Sequence, residues 1–194
     1  MNIKYFVPVI FSLIFSSCSL MPQNNQISST PSPINLNSAT TIPSPTETSQ
    51  SEPMVSLKTK YGEVIIKLYQ KDAPNTVANF IIKSKSGFYR SLTFHRVEPM
   101  FVVQGGDPLG NGTGGGQIAS EINTIPFRRG SVGLARGGNK AVSNDSQFFI
   151  CLATESCSSL TNEYVNFGEV VSGMEFIDQT QIGDQIIDIT DSTK

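Results

Sequence analysis

A 32-residue run, 22–53, sets the first limit on what this chain can fold into. Twenty-five of its positions are Ser, Thr, Pro, Asn or Gln, six of them Pro, and its only charges are Glu47 and Glu52. With no apolar periodicity it cannot bury enough surface to offset the entropy of ordering, so it reads as a disordered tether. Any core must therefore be built downstream, over residues 54–194. That stretch holds all 16 glycines, 13 basic and 14 acidic side chains, and has length for one domain. A formal net charge of −2 without a Lys/Arg-dense cluster excludes a nucleic-acid footprint. Three cysteines are too few for a disulfide scaffold.

The other side of the tether reads as an address. Lys4 precedes an apolar run over 6–15, followed by Ser16, Ser17 and Cys18. The run is about half the roughly 20 residues needed to span a bilayer, which favours a secretory signal over a retained transmembrane helix. Small residues leading into a cysteine resemble the lipobox of bacterial lipoproteins, with Phe15 where an aliphatic residue is usual. That resemblance implies a signal peptide over 1–17 cleaved before Cys18, acylation of the Cys18 thiol, and an 18–53 tether. Several acyl chains anchor stably, because each buried CH₂ contributes about 0.8 kcal/mol. A flexible tether of this length reaches about 30 Å root-mean-square. The expected location is a cell-envelope membrane, with the domain facing the periplasm or extracytoplasmic space.

Within 54–194, residues 55–59 and 63–68 flank a short turn containing Gly62 and predict a hairpin. Asp72 and Pro74 predict a helix start, Val77, Phe80, Ile81 and Ser84 its buried face, and Gly87 its end. Strands are expected near 93–97, 101–104, 132–135, 147–152, 165–171 and 186–190, with a second helix over 174–181. Many short strands, glycine-rich loops and two helices predict a mainly β fold, a sandwich or a closed barrel capped by helices. No βαβ alternation favours a parallel nucleotide fold.

Several chemistries fail on their residues. Gly110, Gly112 and Gly115 satisfy G-x-G-x-x-G, but no helix pattern follows, so the string reads as a turn-rich loop. His95 is the sole histidine and has no Cys or carboxylate at ligand spacing, so no metal is expected. No Ser stands in a nucleophile elbow. Cys151 and Cys157 could pair in an oxidising compartment, or Cys151 could pack as a small hydrophobe in its apolar strand; the sequence leaves both open.

What remains is Phe94-His95-Arg96-Val97, then Phe101-Val102-Val103-Gln104-Gly105-Gly106-Asp107, then Gly112-Thr113-Gly114-Gly115, and later Ser146-Gln147-Phe148-Phe149-Ile150. In order and near spacing these resemble the cyclophilins, peptidyl-prolyl cis–trans isomerases, over about 55–190. The resemblance implies a closed eight-stranded antiparallel β-barrel capped by two α-helices, with no cofactor. It implies Arg96 as the catalytic arginine, Phe101, Val102, Phe149 and Leu160 as the proline-pocket wall, and Gln104 as the side chain fixing substrate backbone or steadying the arginine. Ala135 and Arg136 match the pair meeting the residue before proline, Gln147 a glutamine behind the site, and Tyr164 the place of a common histidine. Arg136, in place of a common Asn, is expected to add positive charge at the rim. Ser159 falls where cyclosporin-contacting members carry Trp, so weak cyclosporin binding is expected.

Such a reaction asks for little covalent chemistry. The planar X–Pro amide must twist over a barrier of about 18–20 kcal/mol, and no bond is made or broken. A dry slot for the ring and a fixed donor that favours the twisted amide suffice, and arginine offers a rigid fork of N–H groups. The expected partners are proline-containing clients and, through the lipid, a membrane; a monomer is expected. The rival reading is a tethered proline-peptide binding module of low turnover.

Overall fold

The computed structural model of the chain describes residues 52–192; the expected signal peptide over 1–17, Cys18 and nearly all of the expected 18–53 tether lie outside the described residues. In chain order the elements are β1 (Met54–Lys58), β2 (Glu63–Leu68), α1 (Pro74–Lys85), β3 (Arg96–Glu98), β4 (Val102–Gly105), β5 (Gln117–Ala119), β6 (Ser131–Leu134), β7 (Val142–Asn144), β8 (Phe148–Cys151), α2 (Thr154–Cys157), a 3₁₀ turn (Ser158–Leu160), β9 (Val165–Ser172), α3 (Met174–Ile177) and β10 (Asp188–Asp191). Eight strands form one antiparallel sheet in the order β10-β1-β2-β9-β6-β8-β4-β3, and β5 pairs with β7 apart from it.

The expected closed barrel is corrected to a half-barrel. The sheet has two free ends, β10 and β3, and no ladder joins them among the described residues. Between them lies a seam of loop bonds. Ser91 N–H donates to Ile186 O at 2.9 Å, Ile186 N–H to Leu92 O at 2.8 Å and Phe94 N–H to Asp184 O at 2.8 Å. These satisfy backbone groups without extending a strand.

The main core lies inside the curved sheet. Val64, Ile66 and Leu68 alternate inward along β2, as its period-2 pattern requires. They meet Val103, Val132, Leu134, Phe148, Ile150 and Phe167, and α1 caps them with Val77 and Phe80. Ser84 is also buried on the expected helix face, while Ile81 is only partly covered. The start of α1 differs from expectation: Ala73 is its N-cap and makes no side-chain cap bond. The Glu121 carboxylate, from a distant loop, accepts the free N–H groups of Asn75 at 3.0 Å and Thr76 at 2.8 Å. Burial pushes its carboxyl up, but those donors outweigh it and hold it below the ordinary range.

The second expected helix shortens to the four residues of α3, and α2 appears where none was expected. A four-residue helix has almost no stability of its own. α2 is fastened by a Cys151–Cys157 disulfide, Cα–Cα 6.2 Å, which settles the pairing the sequence left open.

Candidate active site

The sheet register builds the site. Arg96 on β3 stands opposite Gln104 on β4, Gln104 opposite Phe149 on β8, and Phe149 opposite Gly133 on β6. Side chains directly opposite one another share a face, so these four positions form one row across four strands. Val103, Ile150 and Val132 alternate with that row and enter the main core, which leaves the row on the other face. There a second apolar cluster, Val102, Phe127, Phe149, Cys151 and Cys157, forms a floor. Gly133 is needed in the row: a Cβ there would stand 2.3 Å from the Phe149 ring. The missing side chain lets Phe149 lie against the β6 backbone and stack on Phe127 at 5.6 Å.

Over this floor opens a cavity of about 150 Å³ lined by Arg96, Phe101, Val102, Gln104, Ala135, Arg136, Phe149, Leu160 and Tyr164. Nine of the residues singled out in the sequence thus come together, and Gln147 stands one hydrogen bond behind. Tyr164 meets Phe149 edge-on at 5.7 Å, and Leu160 reaches the wall from the 3₁₀ turn. Cys18 lies outside the described residues.

The polar side of the cavity is a chain of bonds with one direction. Arg96 Nη1 donates to Gln104 Oε1 at 3.0 Å, Gln104 Nε2 to Gln147 Oε1 at 3.0 Å, and Gln147 Nε2 to the Gly114 carbonyl at 2.8 Å. Because a guanidinium has no acceptor, it fixes which way Gln104 faces, and Gln104 in turn fixes Gln147. The Arg96 guanidinium also lies 5.6 Å from the Phe101 ring centroid.

Two features were not anticipated. Glu98, two residues along β3 and so on the same face as Arg96, accepts from Arg96 Nε at 2.9 Å, and the same oxygen forms an ion pair with Nη2 at 2.8 Å. The R-x-E spacing carried that signal, though Glu98 falls one residue beyond the strand expected near 93–97 and joins Arg96 only because β3 runs to Glu98. Arg136 is the other, and it corrects the expected rim charge. Its side chain is 11% exposed, donates to the Glu163 carbonyl at 2.8 Å, pairs with the Glu163 carboxylate and lies over Tyr164 at 4.6 Å. Its charge is spent in holding the wall.

The glycine string is the loop the sequence reading expected, organised by a buried carboxylate. Burial raises the Asp107 carboxyl, but N–H groups of Leu109, Gly112 and Asn111 outweigh it and hold it below the ordinary range. Neighbouring His95 is pushed below its ordinary value, first by burial. Among the described residues no group of three or more His, Cys, Asp or Glu is gathered as a metal site.

Comparison with known proteins agrees with this geometry. Residues 54–191 match the family model for "Cyclophilin type peptidyl-prolyl cis-trans isomerase/CLD". A peptidyl-prolyl cis–trans isomerase of Helicobacter pylori is 39% identical over 137 residues, 68% of this chain and 82% of that one. One from Synechococcus elongatus is 39% identical over 137 residues, 69% of this chain and 92% of its own. Among solved structures, a Cryptosporidium parvum cyclophilin type peptidyl-prolyl cis–trans isomerase superposes with TM-score 0.68 at 31% identity, covering 74% of this chain and 99% of that one. The same protein in the presence of the dipeptide Ala-Pro gives TM-score 0.67 at 31% identity, covering 73% and 99%. With an apolar slot facing a fixed arginine, and a family match over nearly every described residue, the chain belongs to the cyclophilin-type peptidyl-prolyl cis–trans isomerases.

Proposed function

We propose that this isomerase turns X–Pro bonds by seating the proline ring on Phe101, Val102, Phe149 and Leu160 while Arg96 donates to the twisting prolyl amide. The observation that carries the reading is the Arg96 guanidinium at the polar edge of an apolar cavity, steadied through Gln104 and Gln147. As the amide twists, its nitrogen loses conjugation and gains a lone pair, which a fixed donor stabilises only in that geometry. Arg96 has five N–H groups and bonds Glu98 through Nε and Gln104 through Nη1, so N–H groups on Nη1 and Nη2 remain for substrate. The Ala-Pro dipeptide present with the Cryptosporidium parvum relative supports the choice of ring for the slot.

Clients are exported or envelope proteins, and the domain is tethered to a membrane through acylated Cys18. Supporting this are the apolar run over 6–15, the Ser16-Ser17-Cys18 sequence and the charge-poor stretch behind it.

The test is cis-to-trans relaxation of an Ala-Pro tetrapeptide catalysed by the full chain and by Arg96→Ala. Loss of one transition-state donor costs on the order of 10²–10³ in rate, and Arg96→Ala is expected to lose that much while keeping its circular dichroism. Near-wild-type turnover by a folded Arg96→Ala overturns the arginine's role. A wild type that binds the peptide without accelerating it supports the binding-module reading instead.

A further inference from the structure

We propose that Glu98 is a positioning residue for the isomerisation, acting by holding one edge of Arg96 so that the other edge faces the prolyl amide; this rests on the reading of Arg96 as the donor. Arg96 is 40% exposed on a short edge strand, and its long side chain would otherwise be held by one bond to Gln104 and by the Phe101 ring. Glu98 Oε1 accepts from Nε–H and sits 2.8 Å from Nη2 in the same ion pair, the two nitrogens on one side of the planar group. Rotation about the Cδ–Nε bond is thereby blocked. The N–H groups not bonded to Glu98 or Gln104 all lie on Nη1 and Nη2, at the end of the fork.

The backbone makes the clamp local. Arg96 and Glu98 are alternate residues of β3, opposite Gln104 and Val102, and Phe101 N–H donates to Glu98 O at 3.0 Å to close the β3–β4 turn. The carboxylate is thus set by the same hairpin that sets the arginine. As an exposed ion pair it adds little to folding. Its worth lies in catalysis, because freezing one long side chain in advance saves about 0.5–1.5 kcal/mol, or roughly 2- to 12-fold in rate. Glu98 also competes for guanidinium charge, which on its own would predict faster turnover once the carboxylate is removed. Both Glu98 contacts lie on the edge turned from Gln104, so orientation outweighs that competition.

The experiment is a double-mutant cycle on the full chain, with the Ala-Pro tetrapeptide as substrate and kcat and KM resolved separately. Glu98→Ala, and Glu98→Thr as a variant suited to a strand, are expected to lower kcat about 3- to 10-fold with KM changed less than about 2-fold. Glu98→Gln keeps an acceptor at the same place and should return kcat to within about 2-fold of wild type. The Arg96→Ala, Glu98→Ala double variant should be no slower than Arg96→Ala alone. An unchanged or raised kcat in Glu98→Ala overturns the proposal, as does a loss that persists in the Arg96→Ala background. If Arg96→Ala itself is as fast as wild type, the arginine reading falls and takes this one with it. A slow Arg96→Ala beside a fast Glu98→Ala removes only the role of Glu98.

Discussion

Gln147 shows how much one buried side chain can decide. It is 3% exposed, accepts from Gln104 and donates to Gly114 O. Removing it strands the Gln104 Nε2 donor, while Gly114 O keeps its bond from Asn144 Nδ2, and a buried polar group left unpaired costs about 1–3 kcal/mol. Gln147→Ala is expected to lose that much stability in urea denaturation and to slow turnover several-fold, since Gln104 no longer holds Arg96; unchanged stability and rate would remove the relay from the account. Arg96, Gln104 and Phe149 were readable from the sequence because their strings match a known pattern. Their common row follows from strand register, which a sequence without its pairing partners does not reveal. Glu98 was within reach, since R-x-E on a strand shares a face. The fate of Arg136 was not: its partners Glu163 and Tyr164 come from another loop.

Among the elements, β1, β2, β9 and the body of α1 were plain from period and turn residues, whereas β5, β7 and α2 are three or four residues long, too short for a periodicity. The cap of α1 could not be read locally, because Glu121 reaches it from 45 and 46 residues away. Cross-strand charge adds a test at this scale. Glu169 on β9 stands opposite Lys67 on β2 and Ser131 on β6, and also bonds Arg128. The Lys67 ammonium at 2.7 Å, helped by Arg128 and Tyr69 against the effect of burial, holds the Glu169 carboxyl down to about 2. A carboxyl lower in the folded than the unfolded state stabilises fully above its unfolded value near 4.5, and that contribution disappears as pH falls toward 2. Discounted for the exposure of Lys67 and Arg128, it is worth about 1–2 kcal/mol. Glu169→Gln should therefore be less stable by that amount at pH 7, with the gap to wild type closing between pH 4.5 and 2 in parallel urea titrations. A gap that stays constant across that window would assign the loss to packing rather than to charge.

At the scale of the whole molecule, the chain divides by what each part can bury. Residues 54–191 have the apolar periodicity for a core, carry the family match and hold every member of the site. The 22–53 stretch lacks that periodicity, and on the reading proposed above it bears, with the apolar run over 6–15, on where the isomerase works rather than on how. Arg96 depends on β3, β4 and β8, none of which draws a residue from the leader. Lipidation and catalysis should accordingly separate. Mass spectrometry of the mature protein from its membrane fraction is expected to find Cys18 as the first residue with added acyl mass. Cys18→Ala should lose the acyl mass yet keep its turnover per folded molecule within about 2-fold, the activity of a chain whose site is untouched. A mature terminus elsewhere, or Cys18 without acyl groups, would overturn the anchor while leaving the isomerase site as it stands.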